Sequence, residues 1–246
     1  MLPQGVLSIA MAKRSSSSMA ILALLGIDRW TPYELVQHMT RSTIHYIWPR
    51  AESKMYEELK RLAAAGYARA SADRKDPRRT RYAISTAGRR VLSRWVAEPG
   101  SGVSFESEGA LKVLFAEYGT KEQLLATINS MRTHALAVLD HRARVFDEVV
   151  RDGPPYPDRI HLSVLVFDLV DRLTSAVVEW ADVAGARVDN WSSLTPDRAT
   201  RADAMRFVAD IRDRATALIA SHPQAADAAS QQGPAPSQPR PRSGVD

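Results

Sequence analysis

Apolar residues recur at helical spacing along most of the chain and alternate in one place. Leu59 and Leu62 follow Met55 at steps of four and three, with Tyr56 and Ala63 beside them, which predicts an amphipathic helix. Gly66 stands just past the last periodic residue, where a left-handed C-terminal cap is expected. The period then changes. Tyr67, Arg69 and Ser71 alternate with Ala68, Ala70 and Ala72, as in a strand. Residues 73–79 hold an Asp-Pro step and four basic residues, which is turn chemistry carrying positive charge. Residues 80–84 predict a returning strand. A helix, a hairpin and a basic tip make the outline of a winged helix-turn-helix, whose helix enters a DNA groove while the tip lies along phosphates.

Upstream, Ser17 or Ser18 is expected to cap a first helix that Gly26 ends after Leu25. Thr31 caps a second, with Pro32 at its first position and Leu35, Val36 and Met39 on its core face. Residues 40–47 form the turn into the third helix, and Pro49 sits in that helix's first turn, where a missing N–H costs nothing. Ser85 or Thr86 opens a fourth helix through Val96. Pro99-Gly100-Ser101-Gly102 then breaks the chain.

Beyond the break the pattern is helical and strandless. Residues 106–118 predict one helix, closed by Gly119; Thr120 caps the next, which reaches about Arg151 and spans about 45 Å at the standard rise. Its positions Leu124, Ile128, Met131, Ala135, Val138, Val145 and Val149 keep a four-three spacing that Arg142 interrupts, and Leu125, Leu136, Leu139, Phe146 and Val150 add a second stripe. After Gly153-Pro154-Pro155, residues 157–186 predict a helix apolar on most sides, and Thr195-Pro196 starts a last helix through Ile219. Such faces exceed what four helices of one chain cover. A two-fold partner is therefore expected, with Leu124, Ile128, Met131, Val138, Val145, Val149, Phe167 and Trp180 at the seam.

Charge sharpens this outline. Residues 11–98 carry seventeen Lys and Arg against eight Asp and Glu, and the rest of the chain sixteen against twenty, so the net charge of +5 conceals a basic front half and a mildly acidic back half. That asymmetry confines nucleic-acid contact to the front. With no cysteine, no disulfide framework or thiolate site can form. No apolar run is long enough to span a bilayer. Lys13 and Arg14 follow the weakly apolar start rather than precede it, against a secretory signal. Met11 begins a run of Ala, Lys, Arg and four serines that reads as a start of its own, leaving the first ten residues a disordered extension or the product of a misassigned start codon. From Ser221 on, Ala, Gln, Ser, Pro and Gly dominate, and a tail of that composition buries no core. The expected layout is a disordered extension over 1–16, a winged-helix domain over 17–98, a helical dimerisation and effector domain over 104–220, and a disordered tail over 221–246.

The ordered series Trp48-Pro49, Ser53, Tyr56, Leu59, Arg61-Leu62, Gly66-Tyr67, the basic turn, Arg81-Tyr82 and Thr86-Ala87-Gly88-Arg89 resembles the PadR family of transcriptional regulators. The run from Ile21 to Leu25 and Pro32-Tyr33-Glu34-Leu35 match that family's first two helices. The likeness is dense over 17–96 and looser over 105–191, and Ala63-Ala64-Ala65 departs from it where the family is often acidic. It implies a mainly α fold: a winged helix-turn-helix with a two-stranded wing, then a long-helix dimerisation domain. It also implies a homodimeric repressor acting in the cytoplasm, on the bacterial nucleoid, at a near-palindromic operator and released by a small effector, aromatic in some members.

The resemblance places Arg50, Glu52, Ser53 and Lys54 at the exposed start of the third helix, within reach of base edges. Tyr56 either reaches a phosphate or packs, and Tyr33 either bonds a phosphate or joins the core. Arg74, Lys75, Arg78, Arg79 and Arg81 join Arg50 and Lys54 as the basic set. A charge run is ordinarily a solvated face, but this one sits on a hairpin tip with few acids, which favours phosphate contact. The six histidines lack the i, i+4 spacing of a helical zinc pair. No nucleophile elbow or phosphate-binding glycine loop is present, so no enzyme, cofactor or metal is expected. Aromatic residues of the second half, such as Phe105, Phe115 and Trp191, read as core or as the lining of an effector pocket. The rival reading is a winged-helix protein-interaction module that does not bind DNA, which would have no need of a basic wing.

Overall fold

The computed structural model describes residues 15–74 and 76–223. Most of the expected extension and tail, and Lys75, lie outside them. The described chain is mainly helical with one two-stranded sheet. It divides into two compact units. One holds the residues up to 107 with 133–179; the other holds 108–132 with those from 180 on.

The first unit is built on α1 (Ser16–Ile27), a helix apolar on nearly every side. Met19, Ile21, Leu22 and Leu25 are completely or almost completely buried. Its cap is Ser15, whose hydroxyl accepts from the Ser18 amide, and the helix runs through Gly26 to Asp28; the expected stop at Gly26 is therefore corrected. Then α2 (Pro32–Arg41) opens on a complete capping box, Thr31 accepting from the Glu34 amide and the Glu34 carboxylate accepting from the Thr31 amide. A short α3 (Ile44–Ile47) occupies what the sequence presents as a turn. The predicted third helix is α4 (Glu52–Ala64), with Met55, Leu59 and Leu62 buried against α1 and α2. Glu58 is buried on the same face, accepting from Ser18 Oγ at 2.6 Å and Ser15 Oγ at 3.2 Å.

Gly66, at φ +74°, ends α4 in the left-handed conformation its position predicts. The wing follows as β1 (Ala68–Ala72) and β2 (Thr80–Ile84), antiparallel with Ala68 opposite Ile84 and Ala72 opposite Thr80. Tyr67 precedes the strand instead of opening it. Trp30 forms an isolated bridge to β2, exchanging backbone bonds with Tyr82 at 3.1 and 2.7 Å. Next comes α5 (Thr86–Ala97), whose first turn is stitched to the end of α4: the Ser85 amide donates to Tyr67 O and its hydroxyl to Gly66 O. At Gly88 this contact leaves no room for a side chain, since a Cβ would lie 2.3 Å from Tyr67 O.

The expected helix over 106–118 is two pieces, α6 (Glu108–Leu114) and a 3-10 turn over Ala116–Tyr118. Two long helices follow, α7 (Lys121–Asp152) and α8 (Ile160–Asp189), each contributing to both units. The last, α9 (Arg198–Ala220), starts after Asp197, which caps it by accepting from the Thr200 amide at 2.7 Å, later than Thr195-Pro196 suggests. In the second unit Leu124 and Ile128 of α7 are buried with Ala181 and Val188 of α8. The Lys121 ammonium donates to Asp189 O and Trp191 O, closing the C-terminal end of α8 where a cation is favoured. In the first unit, the Arg142 that interrupts the α7 stripe is itself buried: it pairs with Asp171, donates to Phe167 O at 2.9 Å and lies near the rings of Tyr46, Phe146 and Phe167.

Candidate nucleic-acid interface

The first turn of α4 is open. Ala51 gives no side-chain cap, and Arg50, Glu52, Ser53 and Lys54 are all exposed around it. Orphan amides and a positive helix end favour an anion at such a turn. Just before it, the Arg50 guanidinium lies 4.2 Å from the centroid of the Trp48 ring and donates to Pro49 O at 2.6 Å. The Trp48 indole N–H in turn donates to Ser17 Oγ of α1 at 2.9 Å. Lys54 pairs loosely with Glu57 at 3.3 Å, both ends exposed, a contact that solvent and salt screen. Tyr56 is half-buried against the core, which favours its packing reading. Tyr33 is 64% exposed at the start of α2, so core packing is corrected there.

At the wing, Arg74, Arg78 and Arg79 are exposed. Arg79 contacts Asp76 at 3.4 Å, and the Arg78 amide donates to Asp76 Oδ1, so Asp76 shapes the turn while both guanidinium groups face water. Arg81 differs. Its Nη1 and Nη2 donate to the two Glu34 carboxylate oxygens at 2.9 and 3.0 Å, Nη1 also donates to Arg29 O at 2.8 Å, and Nε pairs with Asp73. Four of its N–H groups are thereby used, and they tie β2 to α2. The expectation that Arg81 meets DNA gives way to a role in holding the wing.

The electrostatics agree. Partial burial opposes the Glu34 charge, but bonds from the Thr31 amide, from Arg81 and from the Thr31 hydroxyl outweigh it and hold the carboxyl below its ordinary value. The bond to Asp73, and then Glu34, raises the Arg81 value further. This clasp has a sequence signal that spacing alone does not reveal: Glu34 stands at the third position of a helix where a capping box wants it, and Arg81 alternates with the core-facing Tyr82. Among the described residues no three His, Asp or Glu side chains gather to hold a metal ion, and no helix is long and apolar enough to cross a membrane.

The residues expected at a seam fall into three groups. Leu124 and Ile128 are covered by their own chain. Val145, Val149 and Phe167 line a cavity in the first unit. Met131 and Val138 are half-buried and Trp180 is exposed.

A helical core with a two-stranded wing, followed by long C-terminal helices, defines a winged-helix fold. It is the fold of the PadR-like transcriptional regulators. BC1756 of Bacillus cereus, a PadR-like regulator, superposes with a TM-score of 0.59 at 15% identity, over 70% of this chain and 98% of its own. Bacillus subtilis PadR in complex with operator DNA gives 0.59 at 19% identity, over 71% and 99%. The same protein in complex with p-coumaric acid gives 0.55 at 18%, over 72% and 99%. In sequence, the chain is 27% identical over 175 residues to the probable transcriptional regulator Rv1176c of Mycobacterium tuberculosis, covering 66% of this chain and 92% of that one. No family model matches the chain. These similarities show a shared fold.

Proposed function

We propose that this chain is a sequence-specific DNA-binding regulator of transcription, a homodimeric repressor that occupies a near-palindromic operator and leaves it when a small effector binds. The observation that carries the reading is the exposed cationic set, Arg50 and Lys54 at the open turn of α4 with Arg74, Arg78 and Arg79 at the wing. The α4 side chains would read base edges while the wing arginines neutralise phosphates. That the fold is shared with a protein solved on operator DNA supports the same use of the same elements. Exposed apolar residues of α6 and α9, among them Leu111, Leu114, Met205, Val208 and Ile211, support a two-fold partner. A dimer would set its two α4 helices about one DNA turn apart, about 34 Å. The protein would act in the cytoplasm, on the nucleoid. Selection of bound sequences from a random DNA pool tests this: an enriched inverted repeat is expected, and no enrichment together with no binding at low salt would refute it.

A further inference from the structure

Arg50 stands just before α4, exposed at its tip yet fixed in plane. The guanidinium carbon lies 4.2 Å from the centroid of the Trp48 ring, a cation–π distance, and Nη1 donates to Pro49 O at 2.6 Å. Trp48 is half-buried and is itself tied down, its indole N–H donating to Ser17 Oγ of α1 at 2.9 Å. A ring anchored to the first helix therefore sets the orientation of the guanidinium. Among the described residues no carboxylate pairs with Arg50. A guanidinium carries five N–H donors and no acceptor, so the bond to Pro49 O leaves four, enough for a two-pronged edge. Lys54, one turn on, differs: it is a point charge on a flexible stem, loosely paired with Glu57. Guanine alone among the four bases offers two acceptors, N7 and O6, on its major-groove edge. Adenine sets a donor beside its acceptor, cytosine presents a donor, and thymine has one acceptor beside a methyl. A donor-only group in a fixed plane therefore favours guanine, whereas a phosphate contact needs neither the plane nor the fork.

We propose that Arg50 reads one guanine in each operator half-site, its fork donating to N7 and O6, and that Trp48 and Ser17 are positioning residues for it. The assignment rests on the regulator reading and adds to it the identity of one base pair and the residues that select it. Trp48 and Ser17 touch no base in this arrangement; they act through the plane they impose on Arg50.

The test is selection of bound sequences from a random DNA pool with the full-length protein and its Arg50→Lys and Ser17→Ala variants, followed by anisotropy titration of the selected site and of the same site with the guanine replaced. The parent should select a guanine in each half-site and bind the replaced site about tenfold or more weakly, as expected for a bidentate pair. Arg50→Lys keeps the charge and loses the planar fork, so it should retain the parent's salt slope while binding the two sites within about threefold of each other. Ser17→Ala should narrow the preference at that guanine by about threefold or more and leave every other position of the motif as in the parent. If Ser17→Ala unfolds, Trp48→Phe, which keeps a ring and drops the indole N–H, gives the same reading. An Arg50→Lys protein that selects the guanine as strongly as the parent, or one whose affinity falls alike for every sequence, overturns the assignment. An unchanged guanine preference in the folded Ser17→Ala or Trp48→Phe protein overturns the positioning chain. Failure of the parent to enrich any motif removes the regulator reading itself; an enriched motif that Arg50→Lys leaves intact removes this assignment alone.

Discussion

Arg81 and Glu34 meet fork to fork, with two parallel bonds of 2.9 and 3.0 Å across the join between the wing and the second helix. The same carboxylate completes the capping box of α2, so one group serves two elements. Glu34 is held below its ordinary value in the fold, about 4.3 for a free Glu. The stability it contributes is therefore full above that pH and is lost as pH falls through the folded value. Glu34→Gln should flatten this acid limb and lower stability at neutral pH. Urea unfolding of both proteins between about pH 3 and pH 7 measures the difference; superimposable pH profiles would count against the clasp.

The wing arginines and Arg81 should fail differently. Arg78→Ala with Arg79→Ala should weaken binding to all DNA sequences and lower the salt slope by about one unit per lost phosphate contact. Arg81→Ala should weaken binding while leaving the salt slope close to that of the parent, since it positions the wing without neutralising a phosphate. Fluorescence anisotropy at several salt concentrations separates the two. A slope that falls as much for Arg81→Ala as for one wing arginine would restore Arg81 to the interface.

Gly88→Ala should destabilise the protein by about 1–3 kcal/mol, because overpacked sites shift backbone rather than absorb a methyl. The obstacle is the Tyr67 carbonyl, which cannot rotate away without breaking its bond from Ser85. Gly100→Ala is the control: nothing lies within 4 Å of a Cβ there, so its melting temperature should match the parent.

Sedimentation tests the two-fold assembly. Full-length protein should run as a dimer at micromolar concentration. Trp180→Glu, at a side chain 38% exposed in the single chain, should raise the dimer dissociation constant by at least about tenfold, a 1.4 kcal/mol effect. A monomeric parent would defeat the paired half-site mechanism.

Much of the wing was legible from the chain because each local rule pointed the same way. The 4–3 spacing from Met55 places α4, Gly66 has the one backbone conformation its position demands, and the alternation after Tyr67 gives the strands. The first helix was harder to bound, since an apolar run buried on all sides has no face to mark its ends and Gly26 adopts ordinary helical geometry. Arg81 illustrates a different limit. On the chain it is one of several cations in a basic run; only folding brings Glu34 and Asp73 beside it. Arg142 was visible as an interruption, but its partner Asp171 lies a helix away. Leu124 and Ile128 were legible as apolar, though not as already covered by α8.

The Trp48 ring, anchored by its bond to Ser17, holds the Arg50 guanidinium before any partner arrives. A long side chain normally surrenders its rotational freedom at the moment of contact; this one has surrendered it during folding. On the proposed function, its encounter with a base or phosphate would be cheaper in entropy and more demanding in direction. A small change at Ser17, whose hydroxyl holds the Trp48 indole, would loosen Arg50 and, on the proposed function, be felt as a shorter residence time on DNA.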